Sequence, residues 1–474
     1  GSGDASSEVP SIAVLPFTDQ GGGDEQYFGD GMAEDLIYAL NKIQGLTVAG
    51  QTSSFSFKGR NTDLRTIGEQ LQVSTLLSGS IRRSGDRLRV TVRLENAADG
   101  VQLWSEQYDG VLEDVFAFQD DIATRVADQL QVALLGRGNQ PLVRPTTANP
   151  EAYRQYLQGR FFLAQRGDGI LRSLEYFERA VALDSTYARA YAGVADAYIF
   201  AGMYALLPTD TAMSLASSAG RRALALDSSL AEAYTGLAIV STIYEWDWAA
   251  ARRRFNRALA LDPNYALAHL WHGLYLHYIE RKVDEAVAAY ERAVRLDPLS
   301  PMSAGLFAVG LYSAGQSSDA LVHAQRAVQL VPNWNSYRIL GSVYLASERH
   351  QEAIAVLDTA VQLSARHPWT LMPLAFALVE TGDTARAVAL LDELVTRSRQ
   401  GYVYPTVVGN VAGSLGRVDE ALEWYERAFD EQDTYLFILH GVTLANPVWR
   451  MPPSLLQDPR LDTLWRRMGL DQFH

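Results

Sequence analysis

No cysteine occurs among the 474 residues, which excludes disulfides, zinc–thiolate and iron–sulfur sites and cysteine nucleophiles. It does not fix a compartment, because an oxidising space permits disulfides without requiring them. Cations are outnumbered, with Lys+Arg 41 against Asp+Glu 55 and a net charge of -14. Gripping nucleic-acid backbones is therefore not the main task, since that needs clustered cations. No apolar run approaches the roughly 18 residues of a spanning helix. The start, Gly1-Ser2-Gly3-Asp4-Ala5-Ser6-Ser7, has neither the basic nor the apolar region of a signal peptide. GxSxG, HExxH, GxxxxGK[ST] and CxxC patterns are all missing. The expectation is a chain that is not an enzyme, with no catalytic residue, no cofactor and no metal.

What is present is the balance of a globular protein, 48% hydrophobic and 20% charged, long enough for two or three domains. Up to about residue 135, short β-rich runs alternate with helical stretches. Ser11 to Phe17 reads as a buried strand and Met32, Leu36, Ile37 and Leu40 as a helix face. Asp63 is placed to cap a short helix. Three strand-like runs follow, Ser74–Arg82, Arg87–Leu94 and Val101–Tyr108, parted by Ser84-Gly85-Asp86 and Ala97-Ala98-Asp99-Gly100. A long amphipathic helix carries Phe118, Ile122, Val126 and Leu130 on one face.

Beyond a proline-bearing stretch the pattern is helical and repeats. The equivalent positions Ala180, Ala223, Ala258, Ala293, Ala327, Ala360, Leu394 and Ala428 are separated by 43, 35, 35, 34, 33, 34 and 34 residues. A period near 34 is that of the tetratricopeptide helix–turn–helix. The fold class expected is an α+β domain followed by an all-α tetratricopeptide solenoid wound as a right-handed superhelix. Its divisions are a tail (1–10), the α+β domain (11–135), a linker (136–150), about eight repeats (151–440) and a capping segment (441–474). The long interval places about nine extra residues around Met203 to Thr211.

Several runs also resemble the TolB amino-terminal-like domain of bacterial signalling proteins. They are Ser11–Phe17 with Tyr27-Phe28-Gly29-Asp30-Gly31-Met32, Thr52–Gly59, Gly79–Gly85 and Leu103–Asp109, with Gln457–Leu461 and Arg467–Leu470 at the end. The resemblance implies the sensory or scaffold region found behind adenylate cyclase, Ser/Thr kinase or CadC-type winged-helix output domains, here without such an effector. A bacterial, periplasmic or extracellular placement is expected, with the cytoplasm as the alternative.

Local candidates for chemistry read more simply as structure. Gly21-Gly22-Gly23-Asp24 has acidic neighbours that repel a phosphate. His269, His272 and His277 share a helix, but the third drifts off the face of the other two. The basic hairpin Arg82 to Arg89 carries Asp86 at its tip and reads as a solvated strand face. The aromatics are more suggestive. Repeat register turns Trp271, Tyr275, Tyr278, Trp369, Met372 and Phe376 toward the concave side, with Asn335 and Arg338 between them. Such a groove would hold a protein or peptide segment with aromatic anchors and a polar clamp. Arg338 would donate to a carboxylate or carbonyl. The alternative function is structural: solenoids have open ends, and head-to-tail contact between them builds homo-oligomers or filaments. Nucleic acid and a membrane span are not expected.

Overall fold

The computed structural model describes residues 9–20, 26–84, 87–132, 143, 146–441 and 452–473. The Gly21–Asp24 loop, the Gly85-Asp86 tip, most of the expected linker and Trp449-Arg450-Met451 lie outside the described residues.

The first domain runs β1 (Ser11–Val14), β2 (Thr18–Asp19), α1 (Gln26–Asn41), β3 (Thr47–Val48), α2 (Gln51–Phe55), α3 (Leu64–Leu71), β4 (Thr75–Ser84), β5 (Arg87–Asn96), β6 (Gln102–Val111) and α4 (Val115–Gln129). The sheet order is β3-β1-β4-β5-β6, with β2 also beside β4. β1 lies parallel to β3 and β4, while β4, β5 and β6 form an antiparallel meander. Period-2 alternation explains β5: Leu88, Val90, Val92 and Leu94 are buried, while Arg87, Arg89 and Arg93 face water. Arg89 pairs with Asp109 across the sheet at 2.6 Å, so the basic hairpin is a solvated face here. The Asp63 carboxylate accepts the Thr66 N–H at 2.9 Å and starts α3.

Eight antiparallel helix pairs follow among the described residues. They are α5 (Pro150–Gln165) with α6 (Asp168–Leu183), α7 (Ala188–Met203) with α8 (Thr209–Leu226), α9 (Ala231–Val240) with α10 (Trp248–Leu261), and α11 (Ala266–Tyr278) with α12 (Val283–Leu296). The rest are α13 (Pro301–Ser313) with α14 (Ser317–Leu330), α15 (Trp334–Ala346) with α16 (His350–Leu363), α17 (Pro368–Glu380) with α18 (Thr384–Ser398), and α19 (Pro405–Ser414) with α20 (Val418–Asp430). Tyr290 on α12 shows why the repeat needs small residues opposite large ones. A Cβ at Gly273 or Gly310 would come within 2.6 or 2.7 Å of its ring, so glycine on two successive first helices makes its socket.

The expectation that the linker alone orients the two halves is corrected. α4 packs on the sheet through Ile122 and Val126, but the same core continues through Tyr153, Tyr156 and Leu157 of α5 to Phe177 and Tyr187. Asp35 of α1 reaches across this boundary. Its carboxylate pairs with Arg189 and accepts from Tyr153 Oη at 2.6 Å and Gln119 Nε2 at 3.2 Å.

A second contact reuses the turn after each second helix. Asp184, Asp227 and Asp262 each accept the backbone N–H two residues on, from Thr186, Ser229 and Asn264 at 2.9, 2.8 and 2.9 Å. Asp297 instead accepts from Ser53 N and Oγ at 2.7 and 2.5 Å, and the Leu299 N–H goes to Ser53 Oγ at 2.8 Å. Gly50 completes the joint, its N–H donating to the Leu296 carbonyl at 2.6 Å. A Cβ at Gly50 would lie 2.7 Å from Asp297 Cβ. Gly50→Ala should therefore cost about 1–3 kcal/mol, as overpacking does, read as a lowered urea midpoint. An unchanged midpoint would show that the joint yields freely.

Asp196 on α7 gives the boundary a pH dependence. Burial pushes its carboxyl up to about 7; Arg160 at 3.8 Å offsets this only in part, and Glu232 and Glu34 add repulsion. An unfolded aspartate titrates near about 4, so over the interval between the two values the folded chain holds a proton that the unfolded chain has lost. This contribution to stability is complete below about pH 4 and is lost as pH rises through about 7. Asp196→Asn should melt above the parent at pH 8, with the gap closing toward pH 4. A gap of equal size at both would contradict the assignment.

Candidate protein-binding groove

Four of the expected groove residues come together. Tyr278 ends α11, Asn335 and Arg338 lie in the first turns of α15, and Trp369 lies in the first turn of α17. Local capping sets them: Asn333 Oδ1 accepts from the Asn335 and Ser336 N–H groups at 3.0 Å, and Pro368 opens α17 behind His367. Arg338 donates through Nε and Nη2 to Asn335 Oδ1 at 3.1 and 2.9 Å, with its guanidinium 6.0 Å from the Trp369 ring. Burial lowers its pKa to about 10, and the ionisable groups acting on it are the Tyr435 and Tyr278 phenols, not a carboxylate.

The other four do not join them. Tyr275 is fully buried, donates to the Trp248 carbonyl at 3.0 Å and packs beside Phe255. Met372 Sδ accepts from Asn410 Nδ2 at 3.4 Å. Trp271 and Phe376 are core residues. The histidines have separate surroundings: His269 Nε2 meets the Pro263 carbonyl at 2.9 Å, while burial pushes His272 and His277 down to about 4.

The expectation of wet aromatics on an open groove is also corrected. Tyr278 and Trp369 are only 3% and 6% exposed, because the chain's own residues 433–440 cover them. Asp433 accepts the Thr406 and Tyr435 N–H groups at 2.9 and 3.0 Å and fixes the start of this segment. The Tyr435 ring stands edge-on to Trp369 with centroids 4.3 Å apart, and Phe437 meets Tyr278 at 6.4 Å. A 3-10 turn, Leu436–Gly441, then brings His440 Nδ1 to 3.2 Å from the Tyr278 carbonyl.

Sequence reading missed the surrounding aromatic wall. His367 stacks on Trp334 at 5.2 Å and lies 6.1 Å from Tyr404, which is 6.0 Å from Trp369 and 5.4 Å from Tyr435. Burial, with Arg338 and Arg397 nearby, pushes His367 down to about 4. The long repeat interval belongs to the same site. α7 and α8 run 16 and 18 residues, and the Met203 carbonyl accepts from Tyr404 Oη at 2.9 Å and Tyr435 Oη at 3.5 Å. The second pair thereby touches the eighth. Tyr404→Phe should cost about 1 kcal/mol, the worth of one such bond, measured by urea unfolding. No loss at all would mean the bond is not formed in solution.

After the segment, α21 (Pro453–Leu456) and α22 (Pro459–Arg467) lie on α20. Leu455, Leu461 and Leu464 are buried, Arg460 pairs with Asp419 at 2.8 Å, and Arg467 pairs with Glu426. Trp248 Nε1 donates to the Met468 carbonyl at 2.8 Å. With α1 against α5 at the other end, both ends of the stack are covered by the chain itself. The open ends on which head-to-tail assembly was expected to rest are thus occupied. Among the described residues no helix is long and apolar enough to cross a membrane.

Comparison with known proteins agrees with the helical half. Tetratricopeptide repeat family models match residues 246–301 and 306–368, and 344–403. Residues 7–125 match the model of the second domain of HilA/YgeH-like transcriptional regulators, where the sequence reading named a TolB-like domain. A Rhizobium meliloti (strain 1021) protein bearing the provisional name adenylate cyclase 3 is 36% identical over 189 residues, which is 39% of this chain and 32% of that protein. The match thus spans about a third of that relative's length. Among solved structures, YrrB, described as a TPR protein with an unusual peptide-binding site, is 23% identical over 41% of this chain and 95% of its own, with a TM-score of 0.29. Yeast Tom70 is 17% identical over 67% of each chain, with a TM-score of 0.40. The helical repeats of this chain are tetratricopeptide repeats, a scaffold for protein–protein interaction, carried behind a small α+β domain.

Proposed function

We propose that the chain is a non-enzymatic interaction module of a bacterial signalling system, and that it holds a partner's protein segment against Tyr278, Asn335, Arg338 and Trp369. One observation carries this reading: an extended aromatic and aliphatic segment, the chain's own Tyr435–His440, already sits there. Aromatic side chains supply area at low entropic cost, and Arg338, lacking a carboxylate, supplies a charge-assisted bond to one on the bound segment. The TolB-like signatures and the partial relative named as an adenylate cyclase support the signalling context.

The test uses the full chain carrying Tyr435→Ala and Phe437→Ala, which vacates the seat, and a fluorescein-labelled Asp433–His440 peptide. Saturable binding in the micromolar range is expected, the affinity left after the cost of ordering a short segment, and Trp369→Ala should remove it. Absence of saturable binding to a folded chain would contradict the groove reading.

A further inference from the structure

Resting on that reading, the way residues 433–440 sit in the groove says how a partner gains access. We propose that this segment is a displaceable resident: the intact chain keeps its own groove occupied, and a partner segment enters by exchange with it.

The seat is a poor match for its occupant in three places. Arg338 has only the Asn335 carboxamide oxygen to bond and no carboxylate beside it. Buried Thr434 Oγ1 and Trp246 Nε1 have no hydrogen-bond partner among the described residues. Trp246 packs on Phe429, just before the segment, at 5.2 Å. Unmet buried polar groups weaken an interaction by their desolvation cost, so a segment that satisfies them outcompetes one that does not. The segment is also irregular, a 3-10 turn with poor hydrogen-bond geometry. The elements on either side hold independently of it: Asp433 is fixed to Thr406, and α22 to Asp419 and Glu426. Departure of the segment therefore need not unseat the cap.

Occupancy by a tethered segment acts as a competitor at an effective concentration of about millimolar. The intact chain should accordingly bind the labelled Asp433–His440 peptide on the order of a hundredfold more weakly than the Tyr435→Ala/Phe437→Ala chain. Equal affinity for the two would overturn self-occupancy and leave the groove reading standing. Failure of both to bind would sink the groove reading itself. Hydrogen exchange on the unaltered chain supplies a measure that needs no variant. Amides of Leu436 to His440 should exchange well before those of the α11 and α17 interiors. Exchange of all three together would show that the segment leaves only on unfolding, and exchange with displacement would be wrong.

Discussion

Asp35→Ala should destabilise the chain by about 3 kcal/mol, near the lower end of the cost of breaking a buried ion pair. The substitution leaves Arg189 buried without its closest counter-charge and strips the Tyr153 hydroxyl and the Gln119 amide of their acceptor. Glu232, 3.6 Å from Arg189 Nε, remains and limits the loss. The effect should centre on the boundary between the α+β domain and the repeats, because Asp35 and Arg189 sit on its two sides. Limited proteolysis should then release a repeat fragment that the parent protects. Pairing Asp35→Leu with Arg189→Met should recover much of the loss, since apolar replacement of both members removes the stranded charge. If the single variant unfolds at the parent's urea concentration, the pair does not hold the halves together.

Truncation after Gly441 should have the second large effect. It removes the buried Leu455, Leu461, Leu464, Trp465, Met468 and Leu470 and uncovers Leu422, Tyr425 and Trp248. An uncovered solenoid end is an apolar surface, and terminal repeats need a polar outer face to stay soluble. The shortened chain should aggregate at concentrations where the parent is monodisperse by light scattering. Trp465→Ala alone should cost about 3 kcal/mol, within the range for truncating a buried aromatic. A truncated chain as soluble and as stable as the parent would remove the cap assignment.

The repeats were legible because each unit must bury the same face against its neighbour, which forces small residues and aromatics to recur at one spacing. The strands of the first domain were legible for a similar reason: Leu88, Val90, Val92 and Leu94 alternate with Arg87, Arg89 and Arg93. Periodicity carries no information about contacts between distant units. Asp35 and Arg189 are 154 residues apart, and Ser53 and Asp297 are 244 apart, so neither joint leaves a local signature. The groove was read as exposed because repeat register says which side a residue faces, not what covers that side. One signal was available: Tyr435-Leu436-Phe437-Ile438-Leu439 follows the last helix as a continuous apolar run without helical or strand alternation. Such a run needs a surface to bury it.

The central claim is that the concave face around Tyr278, Arg338 and Trp369 receives a protein segment. Photo-crosslinking tests it most directly, using the Asp433–His440 peptide with benzoylphenylalanine in place of Phe437 and the full chain carrying Tyr435→Ala and Phe437→Ala. Mass spectrometry of the adducts should place them on α11, α15 and α17, next to those three residues. Adducts on the first domain, or scattered over the convex helices, would contradict it.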